Sequence, residues 1–185
     1  MIILAPAALL AADYTIDTAH SSAQFSVKHL MVSNVRGEFG KVTGKAVWDP
    51  NNLAVSSVEA VIDASTINTR ESKRDEHLKS PDFFDVAKFP SIRFTSKKFY
   101  REGGALKIAG DLTLHGVTRT VVLNVDGPTP EIKDPWGNQR IGATASTKIS
   151  RGDFGLTWNK ALEAGGVMVG DEVAITLDIE LTRQK

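Results

Sequence analysis

Apolar and polar residues alternate along most of this chain with a period of two, the pattern of strands with one dry and one wet face. It is cleanest near the C-terminus, where Val173, Ile175, Leu177, Ile179 and Leu181 share one face and Glu172, Thr176, Asp178 and Glu180 the other. The same pattern predicts a first strand over 21–31, with Ala23, Phe25, Val27, His29 and Met31 on one face. A second runs over 35–48, interrupted by Gly37, Gly40 and Gly44. Phe39 has one parity there and Val42, Ala46 and Trp48 the other, so a bulge or sharp bend is expected beside a glycine. Segments 55–63, 91–100, 106–114, 117–126, 140–149 and 172–181 bring the expected strands to eight.

The period changes once. Residues 70–79 have helix-forming composition, Thr69 offers a cap, and Ser80-Pro81 stops the run. Phe83-Phe84, Phe89-Pro90 and Ile92 follow as an apolar cluster suited to docking this insert onto the strands. Segment 151–170 is less regular, with one helical turn expected around 159–164, and no repeat, linker or second domain is visible. The expected fold class is all-β: an eight-stranded antiparallel barrel with one short helical insert near a barrel end. Periodicity alone does not separate a barrel from a sandwich; strand number, strand length and glycine-marked parity breaks favour the barrel. An outer-membrane barrel would turn its apolar face outward between two aromatic girdles. Aromatic residues make up only 7% of this chain and cluster in the insert and loops, so the apolar face is expected to point inward. Several inward positions are small: Ala23, Gly44, Ala46, Ala60, Gly110, Ala143 and Ala145. They either leave room for a ligand or are filled by bulky neighbours such as Phe25, Trp48 and Phe94.

Composition narrows the function classes. A length of 185 residues suits one domain, and 22 basic against 22 acidic residues leave no net charge and no basic stripe for nucleic acid. The absence of cysteine excludes disulfides, thiolate catalysis and Cys-ligated zinc. Residues 2–12 are apolar and small, followed at once by Asp13-Tyr14, like the apolar core and cleavage side of a secretory signal without its basic start. Residues 1–12 are therefore expected to be a signal remnant too short to span a bilayer, and 13–185 a single exported domain.

Candidate chemistry is sparse. His29 falls on the apolar face beside Phe25 and Val27, where an imidazole must either be hydrogen-bonded at a strand end or hold a polar group of a ligand. Arg74 and His77 stand three apart on the insert, neighbours that could receive an anionic head group or simply be solvated. Arg74 could equally pair with Asp82 or Asp85 and pin the insert. No histidine spacing suggests a metal, and neither a nucleophile elbow nor a dinucleotide-binding glycine pattern is present. No cofactor and no catalysis are expected.

Separated segments, in order, resemble a known family. Asp17-Thr18-Ala19-His20-Ser21 leads to Phe25-Ser26-Val27-Lys28-His29-Leu30 and Val35-Arg36-Gly37-Glu38-Phe39. Then come the run from Arg74 to Asp85, Phe89-Pro90-Ser91-Ile92-Arg93-Phe94, the run from Gly110 to Thr118, and Arg151-Gly152-Asp153-Phe154-Gly155. Together they resemble the YceI-like family over essentially everything after Ala12. The resemblance implies a lipocalin-like eight-stranded barrel, export to the periplasm and a homodimer. It also implies non-catalytic binding of a polyisoprenoid or other long amphiphilic lipid in the lumen: a polyprenyl phosphate, an isoprenoid quinone or a fatty-acid amide. The expected ligand-binding residues are Phe25, Val27, Phe39, Phe84, Phe94, Leu112, Ile141, Ala143, Phe154, Ile175 and Leu177 for the chain, with His29, Arg74 and His77 at a polar end. The competing reading is an isoprenoid-processing or detoxifying enzyme using the same lumen.

Overall fold

The computed structural model describes residues 11–163 and 165–185; residues 1–10, most of the expected signal remnant, lie outside the described residues, as does Ala164. The strands are β1 (Ala12–Ile16), β2 (Ser22–His29), β3 (Ser33–Phe39), β4 (Val42–Trp48), β5 (Ser57–Asp63), β6 (Ile67–Asn68), β7 (Ser91–Glu102), β8 (Ala105–Leu114), β9 (Val117–Asp126), β10 (Ile132–Lys133), β11 (Gln139–Ser150) and β12 (Val169–Arg183). Among the described residues there is one α-helix, α1 (Ser72–Lys79), between β6 and β7.

Their pairing closes a ring, which decides between barrel and sandwich. β4, β5, β7, β8, β9, β11 and β12 follow one another as antiparallel neighbours, except that β1 stands between β4 and β12. The closing pair β11–β12 is also the longest, in register from Arg140↔Thr182 to Ser150↔Glu172. Two of the eight wall positions are bent strands. β12 pairs first with β2 and then, at its C-terminal end, with β1. β3 and β4 continue one another across Gly40-Lys41, so the parity change at this glycine is a break between two strands. At the first bend the side chains of residues 17–21 replace the ladder. The Ser21 hydroxyl receives the Glu180 N–H at 3.0 Å, and Thr18 Oγ1 donates to the Val42 carbonyl at 2.9 Å.

β1 is absent from the strands expected from sequence. Ala12, Tyr14 and Ile16 all point into the core, but a five-residue strand merging with an apolar leader-like run carries too little alternation to be seen. Inward faces elsewhere follow parity: Ile141, Ala145, Ile149 and Leu181 are buried. Outward positions such as Glu172, Thr176 and Asp178 are exposed, so the outer wall is polar. No described helix is long and apolar enough to cross a membrane.

The insert differs from expectation at both edges. Arg70 has φ +65°, outside helical space, and the helix starts at Ser72 with the Glu71 side chain accepting the Lys73 N–H. Thr69, expected as the cap, is instead buried under the helix. Its hydroxyl lies 2.5 Å from Asp75 Oδ1 and receives Arg74 Nε at 2.7 Å. The helical turn expected around 159–164 is not formed over 159–163; a bridge between Ala161 and Val167 folds this stretch back on itself. A short 3₁₀ turn forms earlier, at Gly152–Phe154.

One end of the barrel therefore carries the β2–β3 hairpin, the insert, the His115-Gly116 turn and segment 151–168. The opposite end carries the 49–56 loop, the Gly103-Gly104 turn and the 127–138 loop.

Candidate functional site

The barrel encloses a cavity of about 270 Å³, just below the ~300–1,000 Å³ common for small-ligand pockets. Its wall is built from inward side chains of strands all round the ring, closed at the insert end by Leu78, Phe83 and Phe84. Almost no polar atom faces the interior. The two readings of the small inward residues both apply, at different places. A side chain at Gly37 would meet the Phe25 ring at 2.4 Å, and one at Gly110 the Phe94 ring at 2.5 Å, so the far ends of these rings sit over glycines and fill that space. Ala23, Ala46, Ala60, Ala143 and Ala145 border the cavity, whose central lining residues (Phe25, Leu112, Val121, Ile175, Leu177) stay partly accessible from inside.

Of the residues expected to contact a chain, Phe25, Val27, Phe39, Phe84, Phe94, Leu112, Ala143, Ile175 and Leu177 line the cavity. Ile141 and Phe154 do not; they are 4% and 1% exposed and belong to the packed core beside it. Phe39 ties wall to cap, tilted against Phe25 and edge-on to Phe84 with centroids 5.6 Å apart. Lining residues that were not among those expected come from the insert and the rim: Leu78 of α1, Phe83 after it, Leu156, and Val169 at the start of β12. Others, such as Val58, Ile62 and Val121, were readable from parity alone.

The polar residues expected at a head-group end do not converge in the cavity. Arg74 donates to Thr69 through both Oγ1 and the carbonyl oxygen, the latter at 2.8 Å. It pins the insert, but through Thr69 and not through Asp82 or Asp85. His77 Nε2 lies 2.8 Å from Asp82 Oδ2, and its ring stands edge-on to Phe83 and Trp158 at 5.1 and 5.0 Å. His29 ends β2, opposite Ser33 on one side and Val169 on the other.

One charged residue that patterning missed is Arg151, 7% exposed at the barrel rim. Its guanidinium donates to the carbonyls of Gly170 (2.9 Å), Trp158 (2.9 Å), Val169 (3.3 Å) and Leu156, clamping the 156–170 segment against the wall. Burial makes the charged form less favourable and pulls this pKa down, with Asp171 opposing. Its side chain reaches the cavity lining, yet its donors are turned onto backbone oxygens.

A second polar cluster lies outside the barrel, where Arg140 meets Asp17, Asp134 and Glu180. The guanidinium, helped by His20, holds the Asp17 carboxyl down at about 2, and Arg140 depresses Asp134 further still. Asp17, His20 and Glu180 bring ligand atoms within 4.8 Å of one another, a metal-like grouping. The Arg140 cation already occupies the acidic face of that group, so the cluster reads as an ion-pair network fastening β11 to the β1–β2 bend.

Comparison with known proteins agrees with this geometry. The YceI-like domain profile matches residues 14–181. A UPF0312 protein of Vibrio cholerae is 40% identical over 158 residues, covering 84% of this chain and 83% of that protein. The crystal structure of a Campylobacter jejuni YceI protein superposes with TM-score 0.71 at 29% identity, over 85% of this chain and 90% of that one. A polyisoprenoid-binding domain from Saccharophagus degradans shares the fold at TM-score 0.66 and 16% identity, over 92% and 98% of the two chains. The barrel, its cavity and these matches show that the chain belongs to the YceI-like family.

Proposed function

We propose that this protein binds, without catalysis, a long-chain isoprenoid or other amphiphilic lipid, with the apolar chain in the barrel lumen. The single observation that carries this reading is the cavity inside the barrel with its almost wholly apolar wall. The polyisoprenoid-binding domain from Saccharophagus degradans, which shares the fold, supports the chemical class. Each buried CH₂ is worth about 0.8 kcal/mol, so a five-carbon isoprene unit brings roughly 4 kcal/mol before the cost of ordering the chain. A wall with almost no exposed polar atom has nothing to satisfy a phosphate or quinone oxygen, and such a group inside would go unpaired. The head group therefore lies outside the lumen and the chain within.

Mass spectrometry of an organic extract of the purified protein tests this. A long-chain lipid at a fixed ratio to protein is expected; protein that yields none and takes up no isoprenoid added in detergent would refute the reading. We further propose export to the periplasm, supported by the leader-like residues 2–12, and a homodimer; fractionation and sedimentation velocity check these two.

A further inference from the structure

The β2–β3 hairpin breaks the ordinary rules for an exposed turn. Residues 29–32 form a tight turn closed by Val32 N–H to the His29 carbonyl at 3.1 Å. Its central residues, Leu30 and Met31, have φ +51° and +61°. Two consecutive left-handed residues make this the hairpin turn that normally takes Asn-Gly, because side chains without a local hydrogen bond are strained there. The chain instead puts Leu, Met and Val at the tip, 36%, 54% and 82% exposed. The patch does not stop at the hairpin. Leu30 N–H donates to the Met168 carbonyl at 2.8 Å, and Val167 beside it is 37% exposed. Strain and apolar exposure at one place, against what local folding favours, mark a site kept for something other than the fold of the free chain.

Two observations say what covers it. The first is its continuity with the lumen. Val169, next to Met168, lines the cavity, as does Val27, two residues before the turn. Between the pairs His29↔Val169 and Val27↔Val173, β2 advances two residues while β12 advances four, so the regular ladder is interrupted by a bulge where cavity and tip come closest. The exposed Trp136 and Ile132 lie at the opposite end, in a loop that contributes nothing to the cavity lining. The second is charge. Lys28 precedes the turn by one strand residue, and Lys160 holds the Met168 N–H through its carbonyl at 2.9 Å. Both are exposed and neither forms an ion pair among the described residues, while Glu163 is the one acid of segment 156–168. An apolar tip flanked by free lysines is the pattern of a segment that dips into an anionic membrane surface.

We infer that Leu30, Met31, Val32 and Val167 form a bilayer-docking tip that seats the insert end of the barrel on a membrane so that lipid passes to and from the lumen past Val27 and Val169. The inference rests on the lipid-binding reading for its purpose, but docking is measurable without cargo. The test is flotation with vesicles of phosphatidylcholine containing about a quarter phosphatidylglycerol. The wild-type protein is expected to float with the vesicles, and a Met31→Trp variant to shift its emission to the blue on binding. The double variant Leu30→Asn, Met31→Gly supplies the residues the turn prefers. It is expected to melt at a higher temperature and yet to lose vesicle binding by about tenfold or more, the loss expected from withdrawing one or two large apolar side chains. Wild-type protein that stays unbound, or a double variant that floats equally well, overturns the docking site. So does a double variant that turns a dimer into a monomer while neither form floats, which assigns the tip to a second copy of the chain. Uptake of an isoprenoid added in detergent, run in parallel, reads the lumen alone, so a failure of the lipid-binding reading shows there and not in flotation.

Discussion

Arg151 and Phe154 stand three residues apart and are buried for opposite reasons. Phe154 is 1% exposed in the core between the 3₁₀ turn and β9, and its carbonyl lies 3.3 Å from His115 Nδ1. Truncating so well-enclosed a ring leaves a cavity. Phe154→Ala is therefore expected to cost about 3–5 kcal/mol in chemical denaturation, with the bound lipid unchanged because the ring does not line the lumen. Arg151 is buried because its guanidinium donates to four carbonyls at the start of β12 and before it, one of which, that of Val169, also receives Asn159 Nδ2 at 2.7 Å. Arg140 makes the remaining residue-scale case, through pH. Asp17 is held at about 2 against an ordinary 3.8, chiefly by Arg140 and then by His20, and Asp134 is depressed by the same guanidinium. A carboxyl with a lowered folded-state pKa stabilises the fold above its unfolded value and loses that contribution as pH falls through the folded one. The exposed His20, raised by Asp17, stabilises the fold while protonated and loses that contribution as pH rises through its folded value. The melting temperature of the wild type is thus expected to fall steeply between about pH 4 and pH 2. Arg140→Leu should melt lower at pH 7 and show a flatter acid limb; parallel curves for the two proteins would contradict the network.

At the scale of elements, the insert is held by its flanks and not by an apolar face of its own helix. No residue of α1 is buried, and Leu78 alone gives it an apolar contact with the lumen. The holding is done by Thr69 beneath it and by Phe83, Phe84 and Phe89 after it. Phe89 packs against His115 at 4.8 Å between centroids. Thr69→Val keeps the volume and removes the hydroxyl shared by Arg74 and Asp75. A loss of about 1–3 kcal/mol is expected, with chain binding retained. A Thr69→Val protein of normal stability and altered lipid preference would instead make the Arg74 cluster a ligand site. Arg151→Met tests the other clamp. With its donors gone, amides of 156–170 should exchange with solvent markedly faster than those of β8 and β9, since that segment has little other regular structure to hold it.

For the molecule as a whole, the lumen is the measurable quantity. Ile175 sits mid-barrel, between Phe25 of β2 and Thr147 of β11, and points inward. Ile175→Trp should fill much of the cavity, cost about 1–3 kcal/mol by crowding, and abolish isoprenoid uptake while the far-ultraviolet spectrum stays that of the barrel. Unchanged uptake would move the chain elsewhere. The cavity is small for a long polyisoprenoid, which makes chain length informative. Affinity should climb with each added isoprene unit and then level off once the lumen is full, a plateau that titration with a length series would place. Salt should matter little to uptake from detergent, since the wall carries no exposed charge.

What the sequence determined by itself is what periodicity and composition can carry. Which residues of β12 face inward, that Phe25, Phe94 and Leu112 share an interior, and that the outer wall is charged follow from side chains alternating in every extended strand. The insert was legible because its composition departs from that alternation, and the family was legible because several motifs keep their order. What only the tertiary structure decided depends on residues far apart in the chain. Closure through β11 and β12, rather than two packed sheets, is a matter of which edges meet, and alternation is the same in both. β1 is a strand because β4 and β12 offer it partners. Arg74 points to Thr69 because the backbone at Arg70 turns left-handed, and Arg151 is a clamp because the unpatterned chain after it folds back over the rim. The emptiness of the lumen was undecided in the sequence for the same reason: a small residue leaves space or is filled according to which ring lies across from it, and only the assembled barrel lays Phe25 on Gly37 and leaves Ala60 beside open volume.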